Sequence, residues 1–229
     1  MPAKNSRKQF VENSYYHIYN RGVEKRQIFM DDMDYSVFIS YLRNYLLPKN
    51  EDVLHNVLSD ENSTSKQKAE AIKLLRLNNF SETISLAAYC LMNNHFHLLV
   101  KQIPADGIDI FMNSLMTRYT MYFNRKYKRV GHLFQGNYKA VLVQTEAQLL
   151  HLTRYIHQNS ALKGHAFQNY PYSSYRQYLS QTQHEWIKPE EILTYFAEQG
   201  FNSYKSFVGD VFTYDSFEII SGLTLNESD

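Results

Sequence analysis

Cysteine is almost absent from this 229-residue chain: Cys90 stands alone. A single thiol excludes an internal disulfide and a thiolate metal cage, and its place in an apolar segment points to a buried structural role. Long apolar runs are also missing. The longest, Leu86–Met92, is far too short to span a bilayer, and the opening MPAKNSRKQF carries charge but no apolar signal-peptide core. A soluble, cytoplasmic protein is expected. With only eight glycines and five prolines there is no Gly/Ser- or Pro-rich linker, and no repeat suggests a solenoid or fibre. A chain of this length, 44% hydrophobic, can bury one sizeable core. The reading is a main domain over 1–180 and an acidic helical C-terminal extension over 181–229.

Net charge is nearly absent as well, at +1, but it is sorted along the chain. Arg118, Arg125, Lys126, Lys128, Arg129 and Lys139 lie in a stretch without an acidic residue, and Lys4, Arg7, Lys8, Arg21, Lys25 and Arg26 dominate the first thirty positions. Glu185–Asp229 instead carries nine carboxylates against Lys188 and Lys205. A basic body with an acidic tail suits a polyanion partner, although a charge run also serves as a plain solvated face.

What is present alternates in type. SYYHIYN (Ser14–Asn20) is aromatic and β-branched and ends at Arg21-Gly22, which predicts a strand and turn. Asp31, Asp32 and Asp34 then precede Tyr35, Phe38, Ile39, Leu42 and Leu46 at helical spacing, and Pro48 ends that helix. Lys49–Phe80 is polar with a helix-prone AEAIKLLRL, an insertion over 48–80 that adds a short helix. Strands are predicted over Thr83–Met92 and His95–Lys101 about an Asn93-Asn94 turn. A second main helix carries Ile110, Phe111, Leu115, Met116, Tyr119, Tyr122 and Phe123. Tyr138–Gln144 is a fourth strand, and Thr145 with Gln148 opens a third helix in the pattern of a capping box. The order βαββαβ, then α, fits an α+β ferredoxin-like sandwich: an antiparallel sheet with helices on one face and the other free for a ligand.

NNHFHLLV (Asn93–Val100) places two imidazoles two residues apart on a strand, so His95 and His97 share a face while Phe96 points the other way. Such a pair can converge on one ion, but ordinary surface or core histidines give the same pattern. On the third helix, Leu149, Leu152 and Ile156 form a core stripe, leaving His151, Tyr155 and Asn159 on another face at spacings of four. Tyr155 could equally be one of 19 tyrosines in an aromatic core, and Asn159 a fraying residue near Lys163-Gly164. The segment RYTMYFNRKYKRVGHLFQGNYK offers Arg125, Lys126, Lys128 and Arg129 for phosphates and aromatics for stacking, though Tyr119, Tyr122 and Phe123 lie on the apolar stripe. Arg21, Arg118 and Lys139 join these candidates for phosphate contacts, with structural ion pairing an equal reading.

NRG (Asn20–Gly22), AYCLMNNHFHLLV (Ala88–Val100), GHLFQGNYKAVLV (Gly131–Val143), YIHQN (Tyr155–Asn159) and the following YPYSSYRQYL, taken together, resemble the single-tyrosine transposases of the HUH endonuclease superfamily, most of all the REP-associated tyrosine transposase branch. The match covers most of Tyr15–Leu179. The resemblance implies divalent-metal-dependent (Mg²⁺ or Mn²⁺) cleavage and rejoining of single-stranded or hairpin DNA through a 5′-phosphotyrosine. It makes His95 and His97 the metal-binding histidines, Tyr155 the nucleophile and Asn159 a polar metal ligand. It further implies a monomer or homodimer without membrane association, lying on the nucleoid when bound to DNA. Two departures are Ser160, where relatives often carry proline, and the long 48–80 insertion. His151 and His157 are candidate helpers for proton removal. The alternatives are a non-catalytic nucleic-acid-binding module of RNA-recognition-like topology, and a metal-dependent phosphoesterase that uses water.

Overall fold

The computed structural model describes residues 10–163, 166–196, 200–210 and 214–224. Lys4, Arg7, Lys8 and Gly164, and the acidic Glu198, Glu227 and Asp229, lie outside the described residues. The predicted alternation is realised: β1 (Ser14–Arg21), α1 (Asp32–Leu46), α2 (Glu51–Ser59), α3 (Ser65–Leu75), β2 (Ile84–Met92), β3 (His95–Gln102), α4 (Gly107–Lys126), β4 (Lys139–Leu142) and α5 (Glu146–Gln158). Short helices α6 (Tyr175–Tyr178), α7 (Glu190–Thr194), α8 (Gly200–Gly209) and α9 (Tyr214–Ile219) follow. No helix among the described residues is long and apolar enough to cross a membrane.

Local chemistry sets the boundaries. The Asp31 carboxylate caps α1 by accepting from the Asp34 N–H, and the chain leaves the helix at Leu47, just before Pro48. The 48–80 insertion makes two helices rather than one, because it holds two caps: Asn50 starts α2, and Thr64 with Gln67 forms a full capping box on α3. At α5 only half of the expected box forms. Thr145 accepts from the Gln148 N–H, while the Gln148 amide oxygen accepts from Gln144 instead. Gly22, in NRG, permits a close approach, since a Cβ there would lie 2.2 Å from the Arg26 carbonyl oxygen.

The four strands form an antiparallel sheet in the order β2-β3-β1-β4, as a ferredoxin-like sandwich requires. One face buries Tyr16, Ile18, Phe96, Leu98 and Val100 against Phe38, Leu42, Phe111, Leu115 and Tyr119 of α1 and α4. The other face departs from expectation. Rather than lying open, it is covered by the Leu149, Leu152 and Ile156 stripe of α5 and by Ile192, Tyr204, Val208, Ile220 and Leu223 from beyond residue 181. The cause lies in the sheet: Ala87, Ala88, Cys90, Met92 and Leu99 present an apolar surface of mostly small side chains, which a helix can approach closely. An irregularity in β2 between Leu86 and Ala88 lets consecutive alanines join that cluster. Cys90 is fully buried there, and burial holds its thiol pKa high, as a structural thiol requires. The free edge of β2 is closed by YPYSS: Leu91 N–H donates to Tyr172 O, and Ser174 N–H to Tyr89 O. A covered sheet provides no stacking platform of the RNA-recognition kind.

Candidate active site

Side chains alternate along β1 and β3, and their register fixes which residues meet. Arg21 pairs with His95, Tyr19 with His97 and His17 with Leu99; on the far side of β1, Lys139 pairs with Tyr19 and Val141 with His17. Partners across a ladder share a face. His17, Tyr19, Arg21, His95, His97 and Lys139 therefore line the α5 side of the sheet, at the end where β3 begins.

Helix α5 closes the cluster. The Asn159 Oδ1 lies 3.0 Å from the His95 Nε2, and one turn earlier the Tyr155 ring stands edge-on to His97 and His17, with centroids 5.5 and 6.2 Å away. The four residues singled out in sequence, His95, His97, Tyr155 and Asn159, are thus brought together within one chain. Their setting is drier than a solvent-facing strand would give. His97 is 0% and His95 8% exposed, because α5 and the C-terminal segment cover them. Burial drives the His97 pKa well below the usual histidine value, with the His95 and His17 rings adding to the shift, so the ring is neutral.

One buried ring nitrogen here stands out. The Nε2 of His97 is buried with no hydrogen-bond partner, a costly state that a bound ion would relieve. At His95, the Asn94 amide donates its Nδ2–H to Lys25 O, which turns its oxygen toward the His95 Nδ1, 2.7 Å away. With that nitrogen protonated, a neutral His95 presents a lone pair at Nε2 beside the Asn159 oxygen, an arrangement suited to sharing a cation. No group of three or more His, Cys, Asp or Glu able to hold a metal occurs among the described residues. A donor set here relies on the Asn159 amide oxygen. Two imidazole nitrogens and that oxygen fit a divalent ion with open positions.

Residues 61–159 match the family model described as "Transposase IS200 like". The match spans less than half of the chain. No curated protein matches it. Similar solved structures include a REP-associated tyrosine transposase bound to a REP hairpin, at 12% identity over 81% of this chain and 92% of that one, TM-score 0.46. A Deinococcus radiodurans R1 protein provisionally described as a transposase matches at 16% identity over 66% and 95%, TM-score 0.28. The tRNA(His) guanylyltransferase of Saccharomyces cerevisiae matches at 10% identity over 99% and 84%, TM-score 0.34.

The remaining candidates separate by place. Arg21 and Lys139 line the site face; Arg21 is 8% exposed and donates from Nε to the Gln135 side-chain oxygen at 2.7 Å. Arg118 lies on the opposite layer, over the Tyr41 ring at 4.5 Å. Arg125 and Lys128 are exposed at the end of α4, where that helix returns to the sheet end carrying Arg21 and His95, and Arg129 donates to Asn124 beside them. Lys126 is committed within the protein. Its ammonium binds Asp31 and the fully buried Asp34, each at 2.7 Å, and Asp34 also accepts from Tyr122 and Tyr127. The helper histidines of α5 are engaged elsewhere: His151 with the Arg154 guanidinium, His157 with Ser174 and Tyr204. Sequence reasoning missed His17. The alternation in SYYHIYN could have marked it as sharing a strand face with Tyr15, Tyr19 and Arg21, but only the β1–β3 register sets it beside His97.

Proposed function

We propose that this chain is a tyrosine transposase that cleaves and rejoins single-stranded, hairpin-associated DNA through a 5′-phosphotyrosine on Tyr155, with a divalent ion held by His95, His97 and Asn159. The observation that carries this reading is the placement of the Tyr155 ring beside His97 while Asn159, one turn on, reaches His95. The site assembles within one chain, which supports catalysis in cis. Mg²⁺ or Mn²⁺ bound there supplies charge stabilisation at the scissile phosphate. Attack forms a bond from the tyrosine oxygen to phosphorus and breaks the bond to the 3′ oxygen; the phenol gives up its proton and the departing 3′ oxygen gains one. The phosphodiester energy stays in the tyrosine link for rejoining. Helix α5 holds the ring in place, which is the positioning that free water lacks.

Arg21 and Lys139 flank the histidines and suit the phosphates next to the cleaved one. Arg125 and Lys128 extend the positive surface at the same end of the sheet. The decisive experiment incubates a DNA hairpin carrying single-stranded flanks with the full chain and Mn²⁺, digests the protein and maps nucleotide-bearing peptides by mass spectrometry. The adduct is expected on Tyr155, and Tyr155→Phe abolishes it while DNA binding persists. A nucleotide on another residue, or cleavage by Tyr155→Phe at the unaltered rate, refutes the assignment.

A further inference from the structure

On the site face, the proposed chemistry leaves the buried His17 without a task. His17 is 0% exposed and uses both ring nitrogens: Nδ1 meets the Leu223 carbonyl oxygen at 2.5 Å, and Nε2 lies 2.9 Å from the His97 Nδ1. Its ring stacks on that of His97, with centroids 5.0 Å apart and planes inclined by 18°. Neither contact joins residues close in sequence. Residues 17 and 223 both lie outside the 61–159 stretch that carries the family match.

The direction of each hydrogen bond follows from the atoms. A carbonyl oxygen only accepts, so the Nδ1 of His17 carries a proton and donates. Among the described residues no carboxylate hydrogen-bonds either ring, and a fully buried imidazole with no counter-charge in contact stays neutral, so the Nε2 of His17 is a lone pair. That lone pair requires the facing His97 Nδ1 to be the donor. A neutral His97 protonated at Nδ1 has its remaining lone pair at Nε2, the buried atom that has no hydrogen-bond partner. The chain from Leu223 through His17 thus ends in one defined acceptor.

We infer that His17, oriented by the Leu223 carbonyl, is a positioning residue that locks His97 in its Nδ1–H tautomer and so presents Nε2 as a preformed ligand atom. The inference rests on the proposed metal site, and it assigns the segment around Leu223 a part in organising that site from beyond the matched region. The reason to lock a tautomer is kinetic and energetic: a ring free to carry its proton on Nε2 would have to move it before binding, and a hydrogen bond behind a metal-bound imidazole raises its basicity.

The test begins on metal-free, ¹⁵N-histidine-labelled full chain, where long-range ¹H–¹⁵N correlations distinguish the two tautomers. His17 and His97 are both expected as Nδ1–H; a His97 protonated on Nε2 overturns the inference whatever the protein does with metal. Mn²⁺ affinity by calorimetry follows for the unaltered chain, His17→Gln and His17→Phe, with circular dichroism confirming the fold. The glutamine carbonyl can still accept from the His97 Nδ1, so its affinity is expected within about threefold of the original, whereas phenylalanine lowers it about 10–100-fold. Equal affinity for the phenylalanine variant overturns the role. An unaltered chain that shows the Nδ1–H tautomer yet binds no Mn²⁺ refutes the metal-site reading, and with it the function given to His17, while leaving the hydrogen-bond chain standing.

Discussion

Two neutral imidazoles are fully buried on either side of the sheet-to-α5 contact, and they live in opposite circumstances. His157 on α5 has both nitrogens engaged, Nε2 with the Ser174 hydroxyl at 2.8 Å and Nδ1 with the Tyr204 hydroxyl at 2.7 Å. His97 on β3 has one nitrogen engaged with His17 and the other left without a hydrogen bond. Burial alone therefore does not mark a functional histidine. A saturated ring ties α5 to α8 and the YPYSS segment; a half-satisfied one keeps a lone pair available, at a cost that a well-packed interior rarely tolerates without a ligand.

The largest effect expected from that contrast is on metal affinity. His97→Ala should lower Mn²⁺ affinity at least about 100-fold, and His157→Ala should leave it within about threefold, as read by calorimetry on each variant. A loss of similar size in both would erase the distinction. Stability should respond in the reverse order. His157→Ala strips a buried ring and leaves two hydroxyls unpaired, for about 3 kcal/mol in chemical denaturation. His97→Ala removes one buried bond and costs about 1–2 kcal/mol.

Acid provides a third, gentler probe. Burial holds His157 down to about 3, below the unfolded value near 6.5, so the unfolded chain binds a proton that the folded chain refuses anywhere between. The sign is fixed: its contribution is fully present above about 6.5 and is lost as pH falls, by up to about 1.4 kcal/mol per pH unit. His157→Gln, which keeps hydrogen-bonding capacity without titrating, should flatten the stability profile between pH 6.5 and 4.5. An unchanged slope would show that other groups dominate it.

The cations give the smallest version of the same comparison. Arg125→Gln and Lys128→Gln should each reduce the salt dependence of single-stranded DNA binding by about 0.7 in log–log slope. Lys126→Gln should alter that slope little and instead cost about 2 kcal/mol, because Asp34 is buried and loses its charged partner. Binding titrations at several salt concentrations, paired with melts, separate the two behaviours.

The sequence by itself determined a good deal. Alternation in SYYHIYN and NNHFHLLV, the Asn93-Asn94 turn and the heptad-like stripes of α1, α4 and α5 are local patterns, and local sterics suffice to turn them into strands, a hairpin and helices. The spacing of four between Tyr155 and Asn159 likewise needed no tertiary knowledge to place both on one helical face. Tertiary structure alone decided the rest. His17 became the neighbour of His97 only through the pairing of strands separated by some eighty positions, and Leu223 reached His17 only because the segment beyond residue 181 folds back over the sheet. The same packing buried the histidines that a free sheet face would have exposed, and the approach of α4 to the start of α1 drew Lys126 away from solvent into two carboxylates. In each case the deciding interaction joins residues whose own neighbours in sequence carry no trace of it: hydrogen bonds and ion pairs depend on atomic distances, and those are set by how the apolar faces pack.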